Sequence, residues 1–135
     1  MYKIIYVQKV FKILGILFFV FIIWIIYLAN TGKNSLFFDF TKSFPYSDKL
    51  GHFLLFGCLT LLGIIALNFR GFKIGKKSIY YSTAFVFTFV VLEECSQYFI
   101  ASRTFDLVDL SADILGIIVA SCIANFIKKA SKKTT

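Results

Sequence analysis

The residues of this chain able to do chemistry are few and clustered. Seven acidic residues, Asp39, Asp48, Glu93, Glu94, Asp106, Asp109 and Asp113, are joined by a single histidine, His52, and by Gln97 and Arg103. Asp48 and His52 stand at i, i+4 spacing, as do Glu93 and Gln97, while Asp106, Asp109 and Asp113 step by three and then four. On a helix such positions share one face, so each set forms a stripe. Carboxylates beside an imidazole are the parts of general acid–base catalysis: Glu93 or Asp113 would act as base and His52 as acid in moving a phosphoryl or acyl group. The same groups also suit binding, with Arg103 meeting a phosphate and the carboxylates meeting hydroxyls or amines. Acid is in excess over Lys49, Arg103 and His52. Either some carboxyls are protonated through desolvation and mutual repulsion, or the site receives a cation, an amine or a hydroxyl-rich head group.

Each residue also has a structural explanation. Asp48 is placed to cap a helix, and Asp106 and Asp109 fall in a first helical turn, where a carboxylate complements the helix dipole by about 0.3–1 kcal/mol. Glu94 reads as a residue that pairs with a neighbouring cation or reaches the membrane interface. His52 could be a hydrogen-bonded packing residue, and Glu93, Gln97, Arg103 and Asp113 could form a polar clasp between two helices. Oxygen ligands suit a hard divalent metal. Cys58, Cys95 and Cys122, however, lie inside apolar segments with no C-x-x-C and no histidine at ligand spacing, so they read as buried thiols. No metal site, disulfide or cofactor is expected.

The elements that must hold these stripes are membrane helices. Hydrophobic residues make up 59% of the 135 and charged residues 16%, with a mean hydropathy of +0.81, well beyond a soluble domain. Apolar runs extend over about Ile13–Ala29, Leu50–Phe69, Ile79–Ala101 and Leu107–Ile127, each near the ~20 residues that cross hydrocarbon. The expectation is an all-α polytopic protein, one domain over 1–135, built as a bundle of four transmembrane helices. The runs are apolar on every face, which excludes the alternation of a transmembrane barrel. The first run follows Lys3, Lys9 and Lys12 as a signal peptide would, but its length and the absence of an A-x-A site point to a retained anchor. A net charge of +8 does not indicate nucleic acid, because the basic residues sit between apolar runs and not on one soluble face.

Those basic residues set the expected orientation. Lys3, Lys9 and Lys12 precede the first helix, Arg70, Lys73, Lys76 and Lys77 join the second and third, and Lys128, Lys129, Lys132 and Lys133 follow the fourth. Only Lys33, Lys42, Lys49 and Arg103 lie on the other side, so both termini are expected in the cytoplasm. The acids then gather at the outer ends of the helices. At ~1.5 Å per residue, Glu93 lies about 12 Å below Ala101 and Asp113 about 10 Å below Asp106, comparable depths in adjacent helices.

The pattern Asp48-Lys49-x-x-His52, followed by Glu93-x3-Gln97-x5-Arg103-x5-Asp109-x3-Asp113-x2-Gly116, resembles the VanZ-like family over about residues 45 to 120. One departure is Asp113, where the family pattern often has Asn; an ionised Asp accepts hydrogen bonds but cannot donate them. The resemblance implies a multi-pass protein of the bacterial cytoplasmic membrane concerned with the cell envelope, since the name-giving member is associated with low-level teicoplanin resistance. It implies no reaction. Three readings stay open: an outward-facing pocket that binds or processes an envelope lipid or lipid-linked glycan, a proton-coupled carrier, which with four helices would require a homo-oligomer, and a non-catalytic assembly subunit.

The orientation is directly testable. A cytoplasm-active reporter fused after Thr135 should work and an exterior-active one should be silent; the reverse result would put the acidic cluster on the cytoplasmic side.

Overall fold

The computed structural model describes residues 2–32 and 45–133, with side chains described over 6–32 and 45–131. Asp39, Lys33 and Lys42 lie outside the described residues, as do the side chains of Lys3, Lys132 and Lys133. The elements are α1 (Tyr2–Asn30), α2 (Ser47–Ala66), β1 (Gly71–Ile74), β2 (Lys77–Tyr80), α3 (Tyr81–Gln97) and α4 (Leu107–Lys133). Tyr6–Asn30, Ser47–Ala66 and Leu107–Ser131 are long and apolar enough to cross a membrane. The protein is therefore a multi-span bundle of membrane helices. The 17-residue α3 reaches about 25 Å at 1.5 Å per residue, somewhat short of the ~30 Å hydrocarbon core.

The third helix is shorter than the sequence suggests, at both ends. At its start, residues expected to form a basic loop and a first helical turn instead pair as an antiparallel hairpin, with Gly71 opposite Tyr80 and Ile74 opposite Lys77. Gly75 turns the chain at φ +58, in the two-residue loop between the strands, where a left-handed residue matches the strand twist. At the other end the ladder tightens. Tyr98, Phe99 and Ile100 donate backbone N–H bonds to Cys95, Ser96 and Gln97, three residues back. Ser96 Oγ also donates to the Glu93 carbonyl at 2.6 Å, the kind of local bond that competes with a helical ladder. Helix α2 likewise ends at Ala66 and not near Phe69, because Asn68 and Phe69 turn left-handed (φ 54 and 55), and the Phe69 N–H closes onto the Ile64 carbonyl in the manner of a Schellman end.

All four helices contribute to one core: Ile22 from α1, Phe56 and Leu59 from α2, Val86 and Val90 from α3, and Ile117 from α4. Phe19 of α1 sets its ring edge against Phe85 and Phe89 of α3. The closest approach is between α2 and α4. A Cβ on Gly57 would stand 3.1 Å from the Gly116 carbonyl oxygen, and one on Gly116 would collide with the Phe53 carbonyl oxygen. Small residues allow this contact in a membrane, where burial against lipid-like surface supplies little drive and close packing must supply it. Toward the hairpin, neutral hydrogen bonds tie the helices: Ser82 Oγ donates to the Thr60 carbonyl, Thr83 and Ser121 share a hydroxyl bond of 2.8 Å, and Tyr80 donates to Asn125 Oδ1 at 2.6 Å. The three cysteines, expected to be buried, are exposed on the outside of the bundle. An apolar sequence segment does not distinguish core from lipid, since both surfaces are apolar.

The α2–α4 contact predicts unequal costs for one substitution at two glycines. Gly116→Ala should destabilise the protein by about 1–3 kcal/mol through overpacking. Gly15→Ala, whose Cβ meets nothing within 4 Å, should be neutral or slightly stabilising. Unfolding by SDS titration in mild detergent checks this, and equal effects would count against the close contact.

Candidate functional site

The site lies at the end of the bundle opposite the hairpin, where α2 and α4 begin and α3 ends. The turn carrying Arg103 is pinned to the end of α1, because Ser102 Oγ donates to the Asn30 carbonyl at 2.8 Å. Asp106 starts α4: its Oδ1 accepts the Val108 N–H at 2.8 Å, and its carbonyl accepts the Leu110 N–H, an N-cap arrangement. These two contacts fix the register that aims Asp109 and Asp113 back at α2.

The polar residues fall into an outer and an inner tier. In the outer tier Lys49 Nζ is shared among three carboxylates: Asp48 at 2.9 Å, Asp106 at 3.0 Å and Asp109 at 2.6 Å. The Lys49 ammonium, and then the Val108 N–H, hold the Asp106 carboxyl below the usual carboxylate range. In the inner tier His52 Nδ1 is 3.0 Å from Oδ1 of the fully buried Asp113. An ionised Asp113 can only accept, so His52 is then the donor. Gln97 Nε2 donates to both Glu93 Oε2 at 2.9 Å and Glu94 Oε1 at 3.0 Å. Arg103 stands over Glu93 at 3.9 Å, an ion pair too long for a hydrogen bond. Ligand atoms of His52, Glu94 and Asp113 lie within 4.8 Å of one another, which joins the Glu93–Gln97–Glu94 run to the His52–Asp113 pair.

The structure thus brings together His52, Glu93, Gln97, Arg103 and Asp113, with Asp109 linked through Lys49. Asp48 stays at the rim: its side chain is half exposed and reaches Lys49, not the inner tier. Glu94 departs most from its sequence reading. Expected to meet a cation or the interface, it is fully buried, hydrogen-bonded to Gln97 and without a Lys or Arg partner among the described residues. Val86, Val90, Glu94 and Gln97 share the buried stripe of α3, a helical spacing present in the sequence that does not by itself say which face turns inward. Lys49 emerges as the hub of the outer tier, a role that counting charges by side does not reveal. Within one turn of His52 and Asp113 begins an apolar groove of about 130 Å³ between α2 and α4, lined by Phe53, Leu54, Gly57, Gly116, Val119 and Ile123 among others.

Comparison with known proteins matches the family described as VanZ/LLP1 to residues 3–128. The match takes in α1, which lies outside the stretch that carries the motif resemblance. No curated protein and no solved structure shows significant similarity to the chain.

The outer tier predicts a pH-dependent defect. A carboxyl held low in the folded state contributes stability that is complete above its unfolded value and is lost as pH falls through the folded one. Lys49→Met should therefore lower the Tm slightly at neutral pH, with the deficit narrowing as pH falls below about 4, first as Asp106 protonates in the variant and then as pH passes through its depressed wild-type value. A thermal-unfolding series from pH 7 to about 2.5 checks this, and a deficit unchanged across the series would refute it.

Proposed function

The chain belongs to the VanZ/LLP1 family, and on that premise we propose that it binds an outer-leaflet envelope amphiphile, a lipid or lipid-linked glycan, at the polar end of its bundle. In this reading both termini are cytoplasmic, the helix ends carrying His52 and Asp113 face outward, and the protein affects susceptibility to glycopeptide antibiotics. The observation that carries the reading is the adjacency of two surfaces. A charged cluster of carboxylates with Arg103 and Lys49 stands at the mouth of an apolar groove that starts at Phe53 and Gly116. An amphiphile is divided in the same way. Its head group would offer hydroxyls or an amine to Glu93, Asp109 and Asp113 and any phosphate to Arg103, while an acyl or prenyl chain lies along Gly57 and Gly116.

Binding precedes any chemistry in this proposal. Turnover would need Glu93 or Asp113 as base and His52 as acid against a bound substrate. The buried acids also support a second reading, a proton-coupled carrier, because intramembrane carboxyls serve as proton relays in such proteins.

Native mass spectrometry of the purified protein, followed by incubation with envelope lipid extracts, tests the proposal. The expected result is stoichiometric retention of one envelope lipid class, reduced at least tenfold by Arg103→Ala and by Val119→Trp, which fills the groove, at matched folding. Chemical conversion of the lipid would instead establish an enzyme, and gradient-driven flux in vesicles a carrier. Retention of bulk phospholipid alone, unchanged in both variants, would overturn the proposal.

A further inference from the structure

The cations of the site are unevenly shared. Lys49 is surrounded by Asp48, Asp106 and Asp109, and Arg103 stands at Glu93. Glu94 and Asp113, both fully buried, are left without a Lys or Arg partner among the described residues. Each spends one carboxylate oxygen within the protein: Glu94 Oε1 on the Gln97 amide and Asp113 Oδ1 on His52. The second oxygen of each, Glu94 Oε2 and Asp113 Oδ2, is buried with no hydrogen-bond partner. Buried carboxylate oxygens are nearly always satisfied, and two orphaned oxygens on residues of one close cluster point to a ligand.

We propose that His52, Glu94 and Asp113 form a binding site for a divalent metal ion. One imidazole nitrogen and two carboxylate oxygens within 4.8 Å of one another need only small side-chain rotations to surround an ion with bonds of ~2.0–2.2 Å. A 2+ ion neutralises Glu94 and Asp113 together while His52 stays neutral, which supplies the positive charge that Lys49 and Arg103 do not bring to these two carboxylates. The mixed nitrogen–oxygen set fits zinc and other first-row transition ions better than magnesium or calcium, which favour oxygen alone. Gln97 would orient Glu94 from behind, the part played by outer-shell hydrogen bonds in metal sites. Three protein ligands leave a coordination position open, as in sites where the ion polarises a bound molecule. The sequence does not announce this site, since its ligands come from three helices and one of them is Glu94.

The inference goes beyond the amphiphile reading and does not depend on it. The test uses the full chain in detergent without added lipid and with a purification tag free of histidine. After chelation and dialysis, add-back of Zn²⁺ or Mn²⁺ should restore about one equivalent by elemental analysis and raise the Tm. Glu94→Gln and His52→Ala should each weaken the ion at least tenfold. A variant with Cys58, Cys95 and Cys122 all changed to Ser should bind as the wild type does. Should Glu94→Gln fail to fold, Co²⁺ added to the wild-type protein gives an independent readout, a visible absorption band typical of nitrogen and oxygen ligands without a thiolate charge-transfer band. Failure of the wild type to take up any of these ions, uptake unchanged in Glu94→Gln and His52→Ala, or loss of the ion in the cysteine variant would each overturn the site. Lipid retention is measured separately, so either proposal can fail alone.

Discussion

The contact between α2 and α4 is the constraint on which the remaining structure depends. In a membrane the surface of a helix is as well solvated by lipid tails as by another helix, so association rests on close packing and on polar contacts. Gly57 and Gly116 supply the packing by letting the two backbones meet. One turn toward the helix starts, His52 and Asp113 supply a polar contact between the same two helices, and farther out Lys49 of α2 bridges to Asp106 and Asp109 at the start of α4. The register that seats one glycine on the other therefore also seats the imidazole on its carboxylate. Helix α3 then joins through Val86 and Val90, and α1 through Ile22 and its Phe19 ring.

Burial separates the two tiers energetically. Ion pairs of the outer tier include the half-exposed Asp48 and a partly exposed Asp106; water screens such pairs, and each contributes little. Glu94 and Asp113 have lost their water entirely. A charge in that position costs several kcal/mol unless a partner compensates it. The unfavourable electrostatics of the whole fold are thus concentrated in a few side chains beside Gln97 and His52. Uncompensated polar groups that persist in a folded core are the expected signature of a site kept for its function.

The helical architecture was legible because a run of about twenty apolar residues has one physical meaning, and the grouping of Glu93, Gln97, Arg103 and Asp113 followed from helical spacing with a short turn between helices. Three features were not legible, each for a definite reason. The hairpin over Gly71–Ile74 and Lys77–Tyr80 has only four residues per strand and no clean alternation of apolar and polar residues through GFKI and KSIY, so its basic residues read as a loop. Glu94 sits one residue from Glu93, and sequence alone does not say how far a helix is rotated, so only one of the adjacent acids was assigned inward. The cysteines were misplaced because a membrane bundle is apolar both inside and out. Lys49 could be counted but not placed, since its role arises from carboxylates on α4 meeting the start of α2.

The two ends of the bundle bear on whether the acidic cluster is merely a clasp. Toward the hairpin the helices are fastened by neutral groups whose bonds are made: Thr83 with Ser121, Ser82 with the Thr60 carbonyl, Tyr80 with Asn125. Such contacts hold membrane helices together without burying charge, and this chain evidently forms them where fastening is what is needed. At the His52 end the same helices carry carboxylates, two of them with an oxygen left unpartnered. A clasp gains nothing from an orphaned buried oxygen, which weakens the contact it belongs to. A ligand site gains its donor atoms. The contrast within one molecule, satisfied neutral ties at one end and under-compensated acids at the other, therefore favours reading the hairpin end as the fastening and the end that holds His52, Glu94 and Asp113 as the proposed ligand site.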